Sequence, residues 1–149
     1  MDIPTIKAMF DACYQAKRIR DLLPALPEGV TASYIHYLDT IETLERQGTQ
    51  VKISDISDTL NLPRPGVSRV VKEMEEKGYL SKHTAPTDGR ITYITLTPAG
   101  KQLSQRYNEQ YFQQLAPFLS EISQEEADCT IRTIEQFYRV MSERRISVD

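Results

Sequence analysis

Between Arg64 and Arg90 the chain spaces its cations as though to meet a polyanion. Arg64, Ser68, Arg69 and Lys72 fall within three helical turns, interleaved with valines that such a helix would bury. An arginine fork can pair bidentately with a guanine edge, a serine hydroxyl serves base or phosphate, and lysine meets phosphate as a point charge. On that chemistry Ser68 and Arg69 suit base edges, and Arg64 and Lys72 suit the sugar–phosphate backbone. Further on come Lys82, a second phosphate candidate, and Arg90, which follows Asp88 and Gly89. An arginine at a hairpin tip fits a narrow, electronegative minor groove. Asp88 would be repelled by phosphate, so its expected task is to hold Arg90 or the turn, which Gly89 lets form.

The overall charge of −3, from 18 Lys+Arg against 21 Asp+Glu, does not advertise a nucleic-acid partner. Its distribution matters more. From Arg64 to Arg90 six basic residues face four acidic ones, a local surplus of two that leaves −5 for the rest of the chain. Glu73, Glu75 and Glu76 come late in the helical stretch and read as a solvated face turned away from a partner docked at its start.

These residues need elements to hold them. Ile6, Met9, Phe10, Cys13, Ala16 and Ile19 predict a helix over 3–23, ended by Pro24, Pro27 and Gly29. Thr31 is the expected N-cap of a second helix carrying Tyr34, Ile35, Leu38, Ile41 and Leu44, closed by Gly48. A short strand is expected over 51–53. Ile56, Leu60 and Leu62 then supply the apolar face of a third helix, and Asn61 stands where a left-handed residue turns the chain. Pro65 suits the first turn of a fourth helix over about 64–77, with Val67, Val70, Val71 and Met74 buried and Gly78 beyond its end. Strands over 80–83 and 91–96 flank a loop marked by Pro86, Asp88 and Gly89, so the hairpin spans about 80–96. Thr97-Pro98 starts a long helix with Leu103, Tyr107, Tyr111, Leu115 and Phe118, which Pro117 kinks or ends. Ser123 and Glu126 make a capping box for the last, whose apolar positions are Ala127, Ile131, Ile134, Phe137, Tyr138 and Met141. The fold class is therefore mainly α with a small β-hairpin.

Other chemistries find little support. No nucleophile elbow, phosphate-cradling glycine loop or acid–base pair marks an enzyme, and no cofactor is expected. Two histidines and two cysteines lie scattered without the spacing of a metal site. Cys13 and Cys129 make no disulfide framework, no apolar run matches a membrane span, and the N-terminus does not read as a signal peptide. A soluble, cytoplasmic protein is expected. The apolar first and last helices lie outside the compact middle, and burial against a second copy would cover them.

Three pieces together resemble the MarR family of winged helix-turn-helix transcription regulators. They are the helix pair ISDISDTLNL–RPGVSRVVKEMEEKGYL, the Asp88-Gly89-Arg90 and Leu96-Thr97 signature (D-x-R-x5-L-T), and Thr97-Pro98-Ala99-Gly100 as the T-x-x-G start of a long helix. The resemblance implies an N-terminal dimerisation helix in 1–30, a winged DNA-binding domain in 31–97 and C-terminal dimerisation helices in 98–149. It also implies a homodimer on a pseudo-palindromic operator in double-stranded DNA, commonly a repressor released by a small phenolic or amphipathic effector. Tyr14, Tyr34, His36 and Tyr37 are the residues that could line such an effector's cleft. Cys13, with Lys17 and Arg18 beside it, resembles the reactive cysteine of the family's hydroperoxide sensors, so redox sensing stays open. So does a winged-helix protein-interaction module that does not bind DNA. The chain departs from the family at Pro63, where a capping Ser or Thr is usual, and at Pro65-Gly66, which replace polar positions and remove donors.

Overall fold

The computed structural model describes residues 1–148. Its contacts divide the chain into two compact units, the first Met1–Asn108 and the second from Glu109 onward. The first holds α1 (Ile3–Asp21), α2 (Ala32–Arg46), α3 (Ile53–Leu60), α4 (Arg64–Glu76), β1 (Leu80–Ala85), β2 (Asp88–Leu96) and α5 (Pro98–Ser104). A π-helical turn over Gln105–Gln110 leads to α6 (Tyr111–Leu115), a 3-10 turn over Ala116–Leu119 and α7 (Gln124–Glu143). No helix among the described residues is long and apolar enough to cross a membrane.

Local chemistry sets most of these boundaries. Asp2 caps α1 by accepting from the Thr5 amide at 2.8 Å, and Thr31 caps α2 by accepting from Tyr34. Asn61 ends α3 in the left-handed conformation (φ 52°, ψ 48°), which places the start of α4 at the required angle. Gly48 and Gly78 take positive φ just past α2 and α4. Ser123 and Glu126 form the expected reciprocal capping box of α7.

The core of the first unit joins Leu38 and Ile41 of α2, Val51, Ile56 of α3, Val67, Val71 and Met74 of α4, and Leu80 and Ile94 of the hairpin, all essentially inaccessible. The start of α5 locks onto the end of α4. Thr97 accepts from the Gly100 amide, its own amide donates to the Tyr79 carbonyl, and its hydroxyl donates to the Gly78 carbonyl. Gly100 is required by proximity, since a Cβ there would lie 2.1 Å from the Tyr79 carbonyl oxygen. Farther along, Ser104 donates to Glu42, and Asn108 donates to the Ile35 carbonyl and to Ser104. These bonds draw α5 and the π turn onto α2, so the first unit runs past Thr97.

Some expectations differ from the structure. Residues 51–53 form no strand: the Lys52 amide donates to the Asp55 carboxylate, which opens α3 at Ile53. Val51 keeps one sheet-like bond, its carbonyl accepting from Ile94 at 2.8 Å. Leu62 lies beyond α3 and is exposed, because Asn61 has already turned the chain. Val70 is only half-buried. The long C-terminal helix is not uniform, since α5 loosens into the π turn well before Pro117. Cys13 is exposed, as is every α1 residue apart from a few half-buried ones, and α1 buries none.

Candidate nucleic-acid interface

Helix α4 lays Val67, Val71 and Met74 into the core, and at 100° per residue this turns Pro65, Ser68, Arg69 and Lys72 outward. All four are exposed, as is Arg64 on one flank. Among the described residues neither Arg64 nor Arg69 makes a side-chain hydrogen bond or ion pair. Arg69 leans electrostatically toward α2: burial pushes the Tyr37 hydroxyl up from its ordinary pKa, and the Arg69 cation pulls the other way. Lys72 lies 3.9 Å from Glu76 in a pair exposed on both sides, too solvated to hold the lysine firmly.

The glutamates late in α4 are more than a solvated face. Glu73 accepts from the Tyr34 hydroxyl at 3.2 Å, and Glu75 pairs with Lys82 of β1 at 3.0 Å. Burial, then this bond to Glu73, raises the Tyr34 pKa. Lys77 reaches the Gly29 carbonyl and sits 5.4 Å from the centre of the Tyr34 ring. The last turn of α4 is thereby tied to the α1–α2 connection, to α2 and to the hairpin. Sequence reading missed this cluster because its members are remote in the chain and each is unremarkable alone; the positive φ of Gly29 (75°) is the one local trace.

The hairpin is antiparallel, pairing Leu80 with Leu96 through Thr84 with Thr92. There the register shifts, and Ala85 pairs with Asp88 across a Pro86-Thr87 turn. Gly89, Arg90 and Ile91 lie between the two registers, and such irregularities re-aim side chains. The expected turn at Asp88-Gly89 is thus displaced: Gly89 belongs to β2, has no positive φ, and a Cβ there would touch nothing within 4 Å. Pro86 forms the turn instead, its ring having pre-set one dihedral. Asp88 grips Arg90 three times, accepting from the backbone amide at 3.0 Å, from Nε at 3.2 Å and from Nη2 at 3.4 Å. The amide, then the guanidinium, hold the Asp88 carboxyl below the usual aspartate pKa. Arg90 itself projects with 91% of its side chain exposed.

The proposed effector residues do not share an environment. Tyr34 and Tyr37 are core residues, each 3% exposed, whereas Tyr14 and His36 are exposed. The two buried tyrosines belong to the hydrophobic core, where Tyr34 also meets Glu73 and the edge of Tyr79. An open groove of about 500 Å³ lies elsewhere, between the α2–α3 connection and the hairpin, lined by Glu45, Thr49, His83, Tyr93 and Thr95 among others. No group of three or more metal-ligating side chains occurs among the described residues.

The MarR family model matches residues 28–91, the stretch that holds α2, α3, α4 and most of the hairpin. That stretch is similar to the MarR family. The MarR resemblance extends beyond that stretch. A protein named as a candidate transcriptional regulator for the hcr operon of Thauera aromatica is 28% identical over 121 residues, covering 81% of this chain and 70% of the relative. The fold matches Streptococcus pneumoniae FabT, solved in complex with DNA, with a TM-score of 0.68 at 16% identity over 95% of this chain and 99% of that one. It matches a MarR/EmrR family transcriptional regulator from Acinetobacter sp. ADP1 with a TM-score of 0.67 at 20% identity, over 97% of this chain and all of the other. The curated relatives this chain matches are named as transcriptional regulators.

Proposed function

We propose that this MarR-family regulator binds double-stranded DNA in a sequence-specific manner, as a homodimer on a pseudo-palindromic operator in the cytoplasm. Helix α4 lies in the major groove, with Ser68 and Arg69 toward base edges and Arg64 and Lys72 toward phosphates; Lys82 meets phosphate only by exchanging its Glu75 partner. Arg90 reaches the adjacent minor groove, held by Asp88. The observation that carries this reading is the cationic surface: Arg64 and Arg69 stand exposed and unpaired on α4, and Arg90, oriented by Asp88, projects from the hairpin with 91% of its side chain exposed. Solved relatives bound to DNA, FabT and Staphylococcus aureus MepR, support it. The homodimer is supported by the apolar side chains that the chain leaves in water, Ile6, Phe10 and Ile19 on α1 and Ile131, Ile134 and Met141 on α7. Repression relieved by a small amphipathic effector follows the family pattern, and MepR solved with ethidium bromide is consistent with it.

Salt-titrated binding to duplexes selected from a random library, and to DNA flanking its own gene, tests this. Arg69→Ala is expected to relax base preference at one position per half-site, costing about 1–3 kcal/mol of discrimination. Arg90→Ala should weaken every sequence alike and flatten the salt dependence by about one counterion per half-site. Absence of any preferred duplex at low salt would instead favour a protein-interaction module.

A further inference from the structure

The outward centre of the first turn of α4 is a hydrocarbon ring. Val67, Val71 and Met74 point inward, and Pro65 lies almost opposite them, exposed, in line with Arg69 and Lys72. A proline side chain offers neither donor nor acceptor, and its nitrogen carries no N–H. It therefore has nothing to exchange with the hydrogen-bonding edge of a base. One base edge in the major groove presents an apolar group instead, the C5-methyl of thymine.

Gly66 is a second, independent oddity. Its backbone does not lie in the left-handed region, and a Cβ there would meet nothing within 4 Å. Neither the local conformation nor the core calls for glycine, while helix propensity disfavours it. A bare Cα at this point does allow another surface to come closer than any side chain would permit. The unpaired Arg64 and Arg69 flank the pair and would draw a phosphate-lined groove toward it.

We infer that Pro65 and Gly66 form an apolar reader of a thymine methyl in each half-site, with Pro65 in contact and Gly66 admitting the close approach. This rests on the DNA-binding reading above and deepens it by naming the base. The family's usual polar residues at this point would read a different edge, so the substitution Pro65-Gly66 resets specificity at this step rather than weakening it.

The experiment uses the full chain. Duplexes are selected from a random library, and each thymine of the preferred site is replaced in turn by deoxyuridine, which removes only the C5-methyl. For the unaltered protein, one thymine per half-site should lose about threefold to fourfold in affinity on demethylation, the effect of one buried methyl group. Pro65→Ser should bind the thymine and uracil duplexes equally while melting near the parent temperature. Gly66→Ala should weaken binding about tenfold without lowering the melting temperature. A preferred site in which no thymine methyl matters overturns the inference and leaves DNA binding standing, as does undiminished uracil discrimination in Pro65→Ser. Unaltered binding by Gly66→Ala overturns the close-approach half. A library that yields no preferred site overturns both this and the reading beneath it.

Discussion

The two ends of α4 are built on opposite plans. Its last turn is moored on three sides: Glu73 to Tyr34, Glu75 to Lys82, and Lys77 to the Gly29 carbonyl. Beyond it, the Gly78-Tyr79 carbonyls receive the start of α5. Its first turn has no side-chain cap, because Pro63 occupies the N-cap, and it carries Pro65, Gly66 and an unpaired Arg64. A helix held at one end can present the other in a set direction without spending that end's side chains on the fold. The fold is thus anchored through the acidic and basic residues of the C-terminal half, and the N-terminal half keeps its cations exposed.

The contrast can be broken most severely at the moored end. Gly100→Ala drives a Cβ into the Tyr79 carbonyl, and backbone cannot step aside as a flexible side chain can. A loss of about 3 kcal/mol in unfolding free energy is expected, at the upper end for overpacking, read by urea denaturation. Tyr34→Phe removes one hydrogen bond from the mooring of a 3% exposed side chain and leaves Glu73 free to hydrate. About 1 kcal/mol should be lost in the same measurement. At the bare end the sign reverses. Gly66→Ala should raise stability by about 0.5 kcal/mol, since the added methyl meets open space and alanine is the better helix former. A destabilised Gly66→Ala would show that the first turn is also structurally committed.

The smallest expected effect belongs to the hairpin, where the Arg90 amide, then its guanidinium, hold the Asp88 carboxyl below the usual aspartate range. A depressed carboxyl pKa means that the contribution of this contact is fully present above the unfolded value and is lost as pH falls through the folded one. The Arg90 Nε–H resonance should therefore stay constant as pH falls from neutrality and shift only below the ordinary aspartate titration range. A transition centred at or above the ordinary aspartate range would mean that Asp88 does not hold the arginine.

Much of this plan was legible in the residues. Thr31, Asn61, Gly78, Thr97 and the Ser123–Glu126 box act within a few neighbours, so each announces its turn or cap wherever it occurs. The valine spacing of α4 likewise declared which side was buried and which outward. The hairpin was less legible: Asp-Gly is a strong turn signal, yet the turn forms at Pro86-Thr87 because the register shift lets Asp88 begin β2 and bind Arg90. The aromatics of α2 could be read from the sequence only as a stripe, and the fold buries two of them. Tyr34 and Tyr37 have polar tips that suit a ligand, but in the fold those tips face Glu73 and the neighbourhood of Arg69.

By itself the sequence determined the order of elements and the outward cationic face, because caps, helical period and charge spacing are local properties. Only the tertiary structure decided which cations are spoken for. Lys82 and Lys77 are engaged by groups distant in the chain, while Arg64 and Arg69 are not, and ion pairing depends on distances that no spacing along the chain encodes. The same holds for the two glycines: Gly100 is forced by a carbonyl from another element, and Gly66 is forced by nothing inside the molecule. Steric contact between remote segments exists only once the chain has folded.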